Sequence, residues 1–590
     1  MFRISTFLMA LAVWGLSAGA EAPPAAAALH KLFDDYFERT LERAPLLGTF
    51  IGDHRYDDRL PNSLSPAYQA ESLKLDRQFL EAALVFEKQS LSDADRLSLE
   101  VFLDQLRTSV ESAKYPSELL PVNQLFSLPT FMPVLGSGTS AQPFATAADY
   151  DRFLARMKEY VAWSDQAIVN MRAGVGRDIV YPRVVMEKVL SQLAQIIVAT
   201  PESSIFYQPI GKFPASVSAA DRSRLTSAYR RAIVQEINPA YQRLHDFIRD
   251  EYLKSTRATV AWTALPDGAA WYAFLVKVST TTDLAPATIH QLGLDEVRRI
   301  RAEMEQVKAQ VGFKGDLPAF FKFLQDDPRF YYSDPESLIA GYVELKKKID
   351  GLLPKLFSNF PKADYEVRPV EAFRAQAAAG ASYQGPSEDG SRPGYFYVNT
   401  YNLKAQPKFG METLSLHEAS PGHHFQIAIQ QELKGVPRFR RFGGGYVAYD
   451  EGWALYAESI GKELGVFTDP YQYYGRLSDE MLRAMRLVVD TGLHTRNWTR
   501  EQAIKYMLDN SSMAASDVEA EVERYIATPG QALGYKIGQI RIREMRNKAE
   551  RALGTRFDVR EFHSQVLGDG ALPLGVLEAK IDRWIAKKKS

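Results

Sequence analysis

The sequence predicts a mainly α-helical protein with a small β-sheet inserted near residues 365–400. Three observations carry that prediction. Apolar residues recur at helical spacing along most of the chain, as at Leu29, Leu32 and Tyr36 and from Tyr150 to Val169. Turn clusters punctuate these runs, among them Arg59 to Ser63 and Gly174 to Gly176. The texture changes between Asp364 and Thr400, where Tyr365–Val370 and Gly394–Thr400 read as short strands around a Gly-, Ala-, Ser- and Pro-rich loop from Ala377 to Pro393.

In chain order, residues 1–22 form a separate unit. Arg3 precedes the apolar run Phe7–Leu16, and small residues follow at Ala18, Gly19 and Ala20, the three-part pattern of a secretory leader too short to span a bilayer. The expected location is periplasmic or secreted. A lipid-anchored form would need a cysteine at the cleavage point, and the chain has none. Residues 23–300 read as an N-terminal helical half and residues 301–590 as a C-terminal half carrying the chemistry. Thr282–Pro286 opens a long helix that runs to Val311 and stops at Gly312, the order of cap, proline, amphipathic run and terminal glycine. A second amphipathic helix fits Pro335 to Leu353, with Lys346–Lys348 as a solvated face. Helices resume after Met411. The strand Gly394–Thr400, with Tyr397 and Asn399, is the expected substrate-docking edge.

Composition narrows the chemistry. The 590 residues carry 71 Lys+Arg against 72 Asp+Glu, so no excess charge points to nucleic acid or to an anionic membrane. With no cysteine, thiol catalysis and thiolate metal sites are excluded, and any metal must be held by nitrogen and oxygen.

Three of the nine histidines, His417, His423 and His424, fall within eight residues. Neutral imidazoles bind zinc, and a carboxylate beside them, here Glu418, activates water. The usual pattern places a second histidine four residues after the first; in this chain Pro421 holds that position. Proline removes a helical hydrogen bond and clashes with a continuing turn, and Gly422 permits backbone angles closed to other residues. The helix carrying His417 and Glu418 should therefore break or bulge before a second one starts near His423. On an unbroken helix His423 would sit about 120° from His417. A break that absorbs two residues favours His423 as the second ligand, with His424 as the alternative. Glu451 supplies a third ligand. Glu458, seven residues on and so on the same helical face, can orient a ligand from behind.

At these residues the chain resembles the bacterial domain-of-unknown-function 885 family, grouped with gluzincin-type zinc metallopeptidases. His417–Glu418–Ala419–Ser420–Pro421–Gly422–His423–His424 is the specific piece, and Glu451 to Glu458, Thr280–Leu284, His290–Leu294 and Asp490–His494 support it. The resemblance implies a large helical ellipsoid split by a deep channel with zinc on its floor. Attack on an amide also calls for an oxyanion donor; the candidates are Tyr535, placed like the tyrosine of related peptidases, and His494. Together these readings lead us to expect an exported zinc-dependent peptidase with Glu418 as general base, taking no nucleic acid and not inserted in a membrane after leader removal. A zinc amidase on a non-peptide substrate and a non-enzymatic metal-binding protein are the alternatives.

Overall fold

The computed structural model describes residues 24–371, 375, 379–390 and 392–590. The leader assigned to residues 1–22 and part of the Ala377–Pro393 loop lie outside the described residues. The protein is 70% helical with one small three-stranded sheet among the described residues, so the expectation of a mainly α fold holds. No helix among those residues is long and apolar enough to cross a membrane.

Eight helices position the site. They are α1 (Pro286–Gln310), α2 (Pro335–Leu352), α3 (Met411–Glu418), α4 (His423–Glu432), α5 (Val447–Ser459), α6 (Pro470–Thr495), α7 (Ala515–Ala527) and α8 (Leu533–Leu553). α1 begins at Pro286 after the Ala285 cap and is followed by Gly312 at φ +72°. Residue 300 thus lies inside α1, and each of the two large apolar cores draws on residues from both sides of it. One core joins Phe153, Tyr241 and Ile300 to Met485 and Val488; the other joins Phe33 and Phe102 to Trp453 and Ile542.

α1 and α6 meet closely because Gly293 has no side chain: a Cβ there would lie 2.7 Å from Leu487 Cβ. His290 Nδ1 and Thr491 Oγ1, 2.8 Å apart, join the same pair of helices. α5 and α8 cross at two facing glycines. A Cβ on Gly452 would fall 2.5 Å from Gly538 Cα, and one on Gly538 would fall 1.8 Å from the Ala448 carbonyl oxygen.

The sheet contains β1 (Tyr365–Pro369), β2 (Ala381–Gln384) and β3 (Gly394–Val398) in the order β1–β3–β2. β1 runs parallel to β3, pairing Tyr365 with Gly394, and β2 runs antiparallel to it, pairing Ala381 with Val398. Two expectations change here. β2 lies inside the stretch that the sequence marks as loop, because four residues between Gly380 and Gly385 are too short to display alternation. β3 is central, so both of its hydrogen-bonding edges are filled and it cannot accept a further strand. The lysine run is a solvated face at Lys347 and Lys348, which are exposed, but Lys346 is half-buried and two of the three make ion pairs. Lys346 pairs with Asp350 and Asp364 at 2.8 Å each and sits 4.3 Å from the centre of the Tyr365 ring, while Lys348 binds Glu412 at 2.6 Å. These contacts dock α2 on the sheet and on α3.

Gly538→Ala should lower the unfolding midpoint, since overpacking a closed interface costs about 1–3 kcal/mol or more. Gly351→Ala, at a helix position where a Cβ meets nothing within 4 Å, should leave the midpoint unchanged or raise it. Thermal unfolding of both variants checks this, and equal midpoints would remove the glycine crossing from the account of stability.

Candidate metal centre

α3 ends at Glu418 and α4 begins at His423, so the helix is interrupted where Pro421 predicts it. The Ser420–Pro421 peptide bond is cis. Gly422 is required for a reason other than backbone freedom. Its φ of −78° is open to any residue, but a Cβ would lie 1.9 Å from the His417 carbonyl oxygen and 2.4 Å from that of Leu416. Trp453 Nε1 donates to the Pro421 carbonyl oxygen at 2.8 Å, tying this tight connection to α5.

The interruption brings His423 back beside His417. Their rings are perpendicular with centroids 4.9 Å apart, and Glu451 enters from α5. Glu451 Oε2 lies 3.4 Å from His417 Nε2 and 3.3 Å from His423 Nε2. One ligand atom from each of the three residues falls within 4.8 Å of the others. Charge-assisted hydrogen bonds are shorter than this, about 2.7–2.9 Å, and Oε2 is buried with no hydrogen-bond partner. Bonds of about 2.0–2.2 Å to a shared cation, arranged tetrahedrally, would separate the ligand atoms by roughly 3.3–3.6 Å. The two nitrogen–oxygen spacings match that edge, so the residues fit a zinc-sized ion.

Glu458 supports this arrangement from behind. Its Oε1 accepts from His417 Nδ1 at 2.7 Å, and its Oε2 accepts from Thr413 Oγ1 at 2.9 Å. Because a carboxylate only accepts, the Nδ1 proton is fixed and Nε2 is left to face the cluster. Burial works to lower the pKa of His417, but the carboxylates of Glu451 and Glu458 beside it win and lift it to about 10. His423 is also raised: burial opposes the shift and the charge of Glu451 drives it. Burial would raise Glu451, yet the two histidines hold it well below the usual carboxylate range.

Glu418 lines the cleft beside this cluster and has no hydrogen-bond or ion-pair partner among the described residues. The cleft has a volume of 1270 Å³, with Tyr535 and Asp450 also in its wall. Tyr535 accepts from Arg524 Nη2 at 3.2 Å. Burial and the charge of Glu451 raise its pKa, so its hydroxyl stays protonated. Burial pushes Asp450 up to about 7.

The remaining expected site residues lie elsewhere. His424 points away from the cluster: its Nδ1 meets Tyr383 Oη at 2.8 Å, its ring lies 4.7 Å from that of Tyr365, and burial takes its pKa down to about 4. It locks α4 to the sheet. His494 is fully buried outside the cleft, with Nδ1 accepting from the Trp262 amide at 3.0 Å and Nε2 donating to the Tyr525 carbonyl at 2.9 Å. Both ring nitrogens are committed, so it cannot stabilise an oxyanion. Its neighbour Asp490 accepts from Tyr272 and from the Gly530 amide, which makes the Asp490–His494 segment a structural joint. Tyr397 and Asn399 also lie outside the cleft lining. Asn399 Nδ2 donates to the carbonyls of Ala375 and Ala379, and Tyr397 packs against Val370 and Ala375. The strand that does line the cleft is β2, through Ala381, Ser382 and Tyr383.

Sequence reasoning missed Asp450, Asp479, Arg483, Arg486, Glu521 and Arg524, all in the cleft wall. The spacing of 479, 483 and 486, one face of a single helix, is the signal that could have found three of them.

The family described as "Bacterial protein of unknown function (DUF885)" matches residues 45–581. A solved structure described as "the putative lipoprotein from Colwellia psychrerythraea" is 30% identical, covers 95% of this chain and 99% of its own, and superposes with a TM-score of 0.90. A second, "a putative lipoprotein of unknown function from Shewanella oneidensis", is 16% identical, covers 93% of this chain and 99% of its own, and has a TM-score of 0.72, a likeness of fold. No curated protein matches the chain.

Cation binding should be strongly pH-dependent. The His417 pKa is raised to about 10, so at neutral pH a proton occupies a nitrogen that a cation needs, and binding must release it. Affinity for zinc should therefore climb as pH rises toward the His417 value of about 10 and collapse on acidification. Calorimetry in buffers of differing ionisation enthalpy counts the protons released. Binding that releases none, with an affinity flat from about pH 6 to about pH 9, would contradict this ligand set.

Proposed function

The chain belongs to the bacterial DUF885 family of unknown function, and on that premise we propose that it is an exported zinc-dependent peptidase. The observation that carries the reading is the buried, hydrogen-bond-free Glu451 Oε2, held 3.3–3.4 Å from two imidazole nitrogens. A nitrogen, nitrogen and carboxylate set of three suits zinc in a hydrolytic site, and all three residues line the cleft.

His417, His423 and Glu451 would hold the metal, which when bound supplies Lewis acidity to water and to the scissile carbonyl. Glu458 keeps the His417 ring in the orientation and tautomer that this requires. Glu418, adjacent in sequence to His417 and unpaired in the cleft, takes the proton of the attacking water and passes it to the leaving amine. The Tyr535 hydroxyl, kept protonated by burial and by the charge of Glu451, donates to the oxyanion that develops on the carbonyl.

The cleft favours a peptide as substrate. Its 1270 Å³ exceeds the roughly 300–1,000 Å³ of ordinary small-ligand pockets. β2 lines it and is paired only with β3 among the described residues, so the free edge of β2 is where an extended backbone can add as a strand. Export is supported by the leader-like pattern of residues 1–22 and by the "putative lipoprotein" description of the 30%-identical structure.

Glu418→Gln should retain stoichiometric zinc by elemental analysis while peptide hydrolysis falls by about 10²–10⁴-fold, the range of a lost general base. Tyr535→Phe should lower kcat by about 10²–10³-fold, as the loss of one oxyanion donor does, with zinc content unchanged. Full turnover by Glu418→Gln would remove that carboxylate from the mechanism.

A further inference from the structure

Beyond the His/Glu cluster, the cleft wall holds three arginines with unused hydrogen-bonding capacity. Arg483 and Arg486 lie on the face of α6 that also carries Asp479, and Arg524 reaches in from α7. Arg486 directs Nε and Nη2 to Glu521 at 3.1 and 3.0 Å, which leaves Nη1 buried without an acceptor. Arg483 gives Nη1 to Asp479, and Arg524 gives Nη2 to Gln531 and Tyr535; Nε of each is likewise buried and unpartnered. Arg483 and Arg486 are only 8% and 3% exposed.

Those nitrogens are themselves shielded from solvent, so what this wall offers an acceptor arriving from outside is charge: three guanidinium groups line the cleft against the two carboxylates of Asp479 and Glu521. They also touch the proposed chemistry directly: the Arg486 guanidinium lies 4.4 Å from the centre of the Tyr535 ring, and Arg524 donates to the Tyr535 hydroxyl. An anion bound here sits next to the oxyanion donor. Planar guanidinium groups match carboxylates in shape as well as charge.

We propose that Arg483, Arg486 and Arg524 bind the free C-terminal carboxylate of the substrate, so that the protein removes residues from the C-terminal end of short peptides. This rests on the peptidase reading and narrows it. Water adds across the scissile amide, its hydroxyl going to the acyl carbon and its proton to the departing amine, whose own carboxylate is the one held by the arginines.

The test compares Ala-Ala-Phe, its C-terminal amide, and Ala-Glu-Phe amide, which carries an acidic side chain in place of the terminal charge. Binding is measured on zinc-loaded Glu418→Gln protein and turnover on the wild type. The free acid should bind about 10- to 100-fold more tightly than its amide, the worth of a hydrogen-bonded charge, and turnover should show the same preference. Arg486→Gln should abolish the preference. If that variant does not fold, Arg524→Gln, at a side chain 21% exposed, should reduce it, and the wild-type acid–amide comparison decides independently of any variant. Equal binding of acid and amide overturns the proposal. Tight binding of Ala-Glu-Phe amide alone assigns the arginines to an acidic side chain and overturns it too. Cleavage of peptides without a preference for the free acid sinks this inference and leaves the peptidase reading intact. Preferential binding of the acid without any cleavage sinks the peptidase reading and leaves a carboxylate-binding cleft.

Discussion

One carboxylate oxygen constrains much of this structure. Glu451 Oε2 is buried, makes no hydrogen bond, and lies between two imidazole nitrogens at distances too long for strong hydrogen bonds. Holding a desolvated carboxylate there is unfavourable unless positive charge answers it. In the protein alone the raised pKa of His417, about 10, lets that imidazole carry the charge as a proton, and a divalent cation can take its place. The geometry exists only because His417 and His423, six residues apart, sit on two helices rather than one. The connection between those helices is in turn compact only because Gly422 has no side chain to meet the His417 carbonyl.

The scaffold keeps the donors from drifting. α5 contributes both Glu451 and Glu458, so a single helix supplies a ligand to the cluster and the support behind His417. Trp453 on the same helix clasps the Pro421 carbonyl, and Gly452 lets α8 approach closely enough to bring Tyr535 into the cleft. Metal ligands, proton acceptor and oxyanion donor are thus coupled through one helix crossing. Residues that looked chemical by type, His290, Asp490 and His494, instead fasten α1, α6 and the segments around Trp262 and Gly530. Buried imidazole with both nitrogens satisfied is a structural group, and the low pKa of His494, about 3, reflects burial and not catalytic tuning.

The cleft lining carries both signs of charge. Glu418 and Glu451 bring negative charge to the cleft, and Arg483, Arg486 and Arg524, in the same lining, are only partly neutralised by Asp479 and Glu521. A polar substrate entering the cleft meets both signs of charge. Such a field orients a dipolar chain before any specific contact forms.

By itself the sequence determined the helical class, the place of the sheet, the break at Pro421 and the identity of the cluster, because each follows from local spacing: apolar period, proline chemistry, and three histidines with a glutamate in one short stretch. The choice between His423 and His424 needed the tertiary structure, since both follow the same glycine and only the packing of Tyr365 and Tyr383 around one ring decides which turns inward. β2 and its open edge were equally hidden, because four residues flanked by glycine are a strand only when β3 is there to pair with them. Of the arginine wall, local spacing could place only Asp479, Arg483 and Arg486 together, on one face of α6. Its members sit on α6 and α7, and their gathering in one cleft wall, with Arg486 and Arg524 against the same tyrosine, is a property of the assembled cleft.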